Sequence, residues 1–132
     1  MATTKIDPQQ TCGEIISELV RAGASSINTD YKNGKLSGIR WVMKVGAIDA
    51  LFDMPIRVDP VHKKLGSDRV QAERVAWRQL LRWVQAQNAM IEVGMAQAGE
   101  IYLAYLVNPG TNQTLFNHML ETQFKALPAG RV

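Results

Sequence analysis

Residues 27–45 read INTDYKNGKLSGIRWVMKV, and the period of this stretch decides the fold. Ile27, Thr29 and Tyr31 alternate into Asn33-Gly34, the pair best able to adopt the positive φ angles of a tight hairpin turn. Beyond the turn, Ile39, Trp41, Met43 and Val45 alternate with Arg40, Val42 and Lys44, so one face of this strand is expected to be buried and the other largely wet. Continuing toward the C-terminus, Gly46 to Asp49 reads as the next turn, and Phe52, Met54 and Ile56 alternate with Asp53, Pro55 and Arg57 as a third strand. Pro55 has no N–H to donate, which places that strand at an edge. A three-stranded antiparallel sheet results, with one apolar face that needs a cover.

The flanking segments supply it. Upstream, Thr11 and Glu14 stand in the T-x-x-E relation of a capping box, Ile15, Ile16, Leu19 and Val20 share one helical face, and Gly23 suits the end, predicting a helix from about 12 to 22. Downstream, Asp59-Pro60 reads as an N-cap and first helical residue of a short helix closed by Gly66. Ser67 or Asp68 then opens a long amphipathic helix over about 68 to 97. Its apolar stripe holds Trp77, Leu80, Leu81, Val84, Ile91, Met95 and Ala98, opposite Gln71, Arg74, Arg78, Arg82, Gln85 and Glu92. Gly99 is expected to stop or kink it, with a short helix between Glu100 and Val107, a turn at Asn108-Pro109-Gly110-Thr111, and a last helix marked by Leu115, Phe116, Met119, Leu120 and Phe124. The predicted architecture is α+β, a three-stranded antiparallel sheet packed against one long amphipathic helix with flanking N- and C-terminal helices. Residues 1–132 form a single domain with loose termini at 1–10 and 128–132.

Composition agrees. The 132 residues are 46% hydrophobic and 20% charged, the profile of a globular domain rather than a disordered or collagen-like chain. No apolar run approaches the roughly 20 residues that cross a bilayer, and residues 1–10 lack the apolar stretch of a secretory signal, so a soluble intracellular protein without a membrane partner is the expectation. The net charge of +3 is unevenly placed. Residues 57–82 carry seven Lys and Arg against three Asp and Glu, whereas the segment before them balances and the one after is slightly acidic. A basic segment of this kind draws polyanions or acidic protein surfaces.

Catalytic chemistry finds little to use. A metal needs several ligands and a nucleophile needs a base beside it, yet His62 and His118 have no sequence-local partner and Cys12 is the single cysteine. Cys12 near a predicted helix N-terminus would gain thiolate character from the dipole, but no second cysteine could resolve an oxidised form. Neither G-x-x-x-x-G-K-[ST] nor G-x-G-x-x-G occurs, which argues against nucleotide-dependent catalysis. Glu73 falls within the apolar angular range of the long helix, where pairing with Arg69 or the Trp77 N–H competes with a role as an acid or base. No catalytic residue, metal or cofactor is assigned.

Two features stand out. Arg74, Arg78 and Arg82 step by four along the long helix, so three guanidinium groups are expected to project together from one face, either solvated or meeting phosphates or an acidic partner. Lys63, Lys64 and Arg69 extend this basic surface. Trp77 and Trp83 lie roughly 120° apart on the same helix, so they cannot both face the centre of one stripe. Trp77 belongs to the core and Trp83 to its edge, against a second packing surface, a base or a partner protein. The expected wet face of the sheet shows Arg40, Lys44 and Arg57 without aromatics, which argues against a sheet that stacks unpaired bases.

The blocks Ala72-Glu73-Arg74-Val75-Ala76-Trp77-Arg78, Trp83-Val84-Gln85-Ala86-Gln87, Ile91-Glu92-Val93-Gly94-Met95 and Glu100-Ile101-Tyr102-Leu103-Ala104-Tyr105-Leu106 carry a likeness. With Thr11-Cys12-Gly13-Glu14-Ile15, Gly23-Ala24 and Met54-Pro55-Ile56-Arg57-Val58-Asp59, the chain resembles a family of small uncharacterised proteins of bacteriophages and prophages over about residues 11 to 107. The resemblance implies a viral or mobile-element origin, hence the cytoplasm of a bacterial host, and brings no active site. It implies one of two roles: handling nucleic acid during viral replication, or disabling a host defence complex. The leading expectation is a non-catalytic accessory protein that binds nucleic acid or a nucleoprotein complex through Arg74, Arg78, Arg82, Lys63, Lys64 and Arg69. The alternative is an inhibitor of a host defence complex, of the anti-CRISPR kind, anchored by Trp83 and arginines. A homodimer through the helical layer is the oligomer that a spare tryptophan would serve.

Overall fold

A computed structural model describes residues 4–66 and 68–123. The expectations that fall on Ser67, Phe124 and residues 128–132 lie outside them, as do the first three residues of the loose start.

The sheet forms as the alternation dictates. Strand β1 (Ser25–Lys32), β2 (Lys35–Val45) and β3 (Ile48–Pro55) lie in the antiparallel order β1-β2-β3. Asn33 and Gly34, at φ 55° and 78°, make the turn between the first two. Ile39, Trp41 and Met43 of β2 and Ala50, Phe52 and Met54 of β3 are buried on one face. Within it, the Trp41 and Phe52 rings stack with centroids 5.5 Å apart. Strand β3 is an edge strand with Pro55 as its last residue, as expected, and a bridge from Phe52 to Leu106 shields part of that edge. The pairing of β1 with β2 carries two register shifts.

Two helices, rather than one, cover the apolar face: α1 (Pro8–Arg21) and α3 (Arg69–Glu92). Cys12, Ile15 and Leu19 from α1 and Trp77, Leu81 and Val84 from α3 join the sheet residues in a single core. Contacts between them run in step. Gln71 Nε2 donates to the Thr4 carbonyl at 2.8 Å, Arg78 meets Glu14, Asn88 Nδ2 donates to the Glu18 carbonyl at 2.7 Å, and Arg21 pairs with Glu92. The two helices are therefore parallel, with both N-termini at the end of the molecule that carries the β1–β2 turn. A short helix, α2 (Val58–Leu65), lies on the other flank of α3, where Val58 packs against Ala72 and Ala76.

Several helix ends depart from expectation, each for a local reason. Helix α1 starts at Pro8, not near residue 12, because Asp7 accepts from the Gln9 N–H at 2.9 Å and proline occupies the first turn. Thr11 and Glu14 are thereby freed to face α3 instead of forming a cap. Helix α2 starts at Val58, so Asp59 and Pro60 lie within its first turn, where an absent N–H costs no helical bond. Helix α3 is capped by Asp68, which accepts from the Gln71 N–H at 2.8 Å, and ends at Glu92, short of 97. Gly94, at φ 80°, stops it: its N–H bonds to the Ile91 carbonyl and that of Met95 to the Met90 carbonyl, the paired bonds of a Schellman ending. Met95 and Ala98 are consequently off the helical stripe. The expected helix from Glu100 to Val107 is instead α4 (Ala98–Ile101) and a 3-10 turn over Leu103–Tyr105. A small hairpin, β4 (Val107–Asn108) with β5 (Gln113–Thr114), leads to α5 (Leu115–Glu121), none of whose residues is buried.

Candidate nucleic-acid interface

The arginine row does not form a common outward face. Arg78 is only 19% exposed: its Nη1 donates to Glu14 Oε1 at 2.9 Å and to Thr11 Oγ1 at 3.3 Å, clamping α3 to α1. Arg74, one turn earlier on the same flank, is half-buried, with Nη1 3.5 Å from Gln71 Oε1. Arg82 is the exposed one of the three, and neither it nor Arg74 makes a salt bridge among the described residues. The row was expected to lie opposite a single stripe facing the sheet. The second helix of the layer takes up the flank on which Arg74 and Arg78 stand.

The cationic side chains converge elsewhere, at the end of the molecule where the hairpin turn meets the N-termini of α2 and α3. A cleft of about 810 Å³ opens there, lined by Lys32 and Lys35 from either side of the turn, Arg57 from the β3–α2 junction and Arg69 from the first turn of α3. Asp59 and Glu73 also line it. Lys35 Nζ bonds to Glu73 Oε1 at 2.8 Å, while Arg69 pairs with Asp59 and stands 3.9 Å from the same Glu73 oxygen. Lys32 and Arg57 make no salt bridge among the described residues. The Asp59 carboxyl is held below its ordinary value first by the Arg69 hydrogen bond and then by the Arg69 charge, with smaller help from His62 and Lys32. Lys63 and Lys64 are exposed in the last turn of α2.

Of the residues expected from sequence, Arg69 is placed in this cleft and Lys63 and Lys64 on the adjoining helix; Arg74, Arg78 and Arg82 line no part of it. Lys32, Lys35 and Arg57 were missed as a group. The signal for the first two was the basic residue on either side of Asn33-Gly34, legible once the turn is known to face the start of α3.

Trp83 lies at the edge of the core as its angle requires, 36% exposed, while Trp77 is buried. Its packing partners are Tyr102 and Tyr105, met edge-to-face with centroids 5.6 and 6.3 Å apart. A second hollow, of about 280 Å³, lies beside it between β3, α2, α3 and the 3-10 turn. Ile56, Val61 and Leu80 form apolar walls, Trp83 and Tyr105 the aromatic ones, and Gln79 and Arg57 the polar margin.

Glu73 pairs with Arg69 as expected, at 3.9 Å, and more closely with Lys35, at 2.8 Å, a partner not expected from sequence. Cys12 is in the middle of the first half of α1, buried, and its thiol is pushed up to about 11 by burial, so the dipole-stabilised thiolate is not realised. Among the described residues no three His, Cys, Asp or Glu side chains come together to hold a metal ion, and no helix is long and apolar enough to cross a membrane. Comparison of the chain with protein-family models, curated proteins and solved structures gives no significant match in any of the three.

Proposed function

We propose that this protein is a non-catalytic nucleic-acid binder, an accessory protein of bacteriophage or prophage type, that holds the sugar-phosphate backbone in the cleft between the β1–β2 turn and the start of α3. The observation that carries this reading is the convergence of Lys32, Lys35, Arg57 and Arg69 on one concavity from three separate parts of the chain. Lys32 and Arg57 are free of salt bridges among the described residues, the Arg69–Asp59 pair is exposed on both sides, and Lys35 and Arg69, both exposed, share the mostly buried Glu73 carboxylate. A phosphate can replace Asp59 on Arg69 at little cost, and it can meet Lys32 and Arg57 directly while Lys35 stays on Glu73. In this reading Arg69 contacts the backbone with Lys63 and Lys64 beside it, while Arg74, Arg78 and Arg82 stand outside the cleft, Arg78 holding α3 to α1.

Backbone contact of this kind sets affinity without reading sequence and is sensitive to salt. Fluorescence anisotropy with labelled oligonucleotides at low salt is expected to show binding whose logarithm falls linearly with that of the salt concentration. Replacing Lys32 or Arg57 by Gln should reduce that slope by about one each. Absence of binding to DNA or RNA, single- or double-stranded, at low salt overturns the reading.

A different observation favours the alternative, occupation of a host defence complex. Phe116 and Leu120, one turn apart on α5, are both exposed, so two apolar side chains stand side by side where a protein partner can meet them. A partner retained from nuclease-treated host lysate, and lost on replacing both residues by Ser, supports that reading.

A further inference from the structure

The basic cleft and the hollow beside Trp83 are not separate. Ile56 and Arg57 line both, so the two adjoin just beyond the end of β3. Their chemistry differs. The cleft is cationic, whereas the hollow offers aliphatic walls, two aromatic rings, a side-chain amide at Gln79 and the Arg57 guanidinium at the boundary. Its volume, about 280 Å³, falls just below that of small-ligand sites, which start at roughly 300 Å³, and leaves room for one flat group.

A cationic groove that tracks phosphates beside an aromatic platform is the arrangement that holds unpaired strands, because every base has a flat face to stack and none is available inside a duplex. Building on the reading of the cleft given above, we infer that the ligand is single-stranded nucleic acid, with one base inserted beside Trp83 while the adjoining phosphates lie over Arg57, Lys32 and Lys35. Gln79 can both donate and accept, so it suits the edge of a base without restricting which one enters. Arg57 sits at the junction and neutralises the phosphate that links the inserted nucleotide to the next. The sheet, which carries no such platform, is not needed for stacking.

Trp83 also provides the readout, because Trp41 and Trp77 are 0% and 1% exposed and an added ligand reaches neither. The full-length protein is titrated at low salt with an oligothymidylate and, separately, with a duplex of equal length, following anisotropy of the label and tryptophan emission together. The single strand is expected to quench emission and to bind at least tenfold more tightly than the duplex. Trp83→Phe, which keeps an aromatic ring against Tyr102 and Tyr105, should abolish the quenching. Trp83→Ala, checked for folding by circular dichroism, should weaken binding about five- to 150-fold, the range for loss of one stacked base. The double variant Lys32→Gln/Arg57→Gln should weaken binding while leaving the quenching at saturation intact. Equal affinity for the duplex, or binding of the single strand without quenching, overturns this inference and leaves the cationic cleft standing. Failure of both oligonucleotides to bind overturns both.

Discussion

Arg78 shows how much a single contact can alter a functional reading. Its guanidinium bonds two side chains of α1, one of them a carboxylate, in a half-buried setting where charge-assisted hydrogen bonds are worth more than neutral ones. Arg78→Ala is expected to lower stability by about 1–3 kcal/mol in urea melts and to leave nucleic-acid affinity unchanged. A loss of affinity with unchanged stability would return Arg78 to the binding surface. Cys12 makes the opposite point, that a residue in a suggestive position can be inert. With its thiol buried and raised to about 11, labelling by a disulfide reagent at about pH 8 should proceed only as fast as the protein unfolds, whereas a burst of labelling in the native state contradicts its burial. On the open face of the sheet, burial raises the Asp53 carboxyl above its ordinary 3.8, with Arg40 opposing and Asp30 adding to the rise. The native state holds this proton more tightly than the unfolded chain. The resulting stabilisation is complete below the ordinary value and is lost as pH rises through the native one. Asp53→Asn should remove that slope from urea melts recorded over about pH 3 to 6.

At the level of elements, the glycines separate backbone requirement from coincidence. Gly94 adopts φ 80° where α3 must end, so Gly94→Ala is expected to cost about 1 kcal/mol although nothing stands within 4 Å of the added methyl. Gly13 lies inside α1, exposed and with open space around its Cβ position, so Gly13→Ala should gain about 0.5–1 kcal/mol. Opposite shifts in thermal midpoint for the two variants check both statements. Gly38 belongs to neither case, since a Cβ there would stand 2.8 Å from the Met54 carbonyl oxygen across the sheet.

The strands were the most legible elements because alternation and the Asn33-Gly34 turn are properties of adjacent residues. Helix ends were less so. At the start of α1, Asp7 caps the helix one turn ahead of the Thr11-Glu14 pair, with proline in its first turn; at the end of α3, Gly94 stood closer to the helix than the glycine expected to stop it. The candidate site was legible only in part. Periodicity assigns Arg78 an angle about the α3 axis but not the neighbour that occupies that angle, and only the parallel docking of α1 shows that Glu14 stands there. Likewise Lys32, Lys35 and Arg57 are scattered along the chain, and it is the return of β3 to the turn end of the sheet that gathers them.

For the molecule as a whole, sequence separation divides the structure into early and late parts. Strands β1 to β3 follow one another through tight turns, whereas the bonds joining α1 to α3 link residues 64 to 71 positions apart. Closing so long a loop costs entropy before any contact repays it. In pulse-labelled hydrogen exchange during refolding, amides of β2 are expected to become protected before those of α1; simultaneous protection would place helix docking in the first step.

The same parallel pairing has a consequence during synthesis. Helix α1 leaves the ribosome first, yet the surface it rests on is completed only when α3 has been made. Until then the nascent hairpins present Ile39, Trp41, Met43 and Phe52 to solvent, and the interval during translation is when this chain most needs a chaperone.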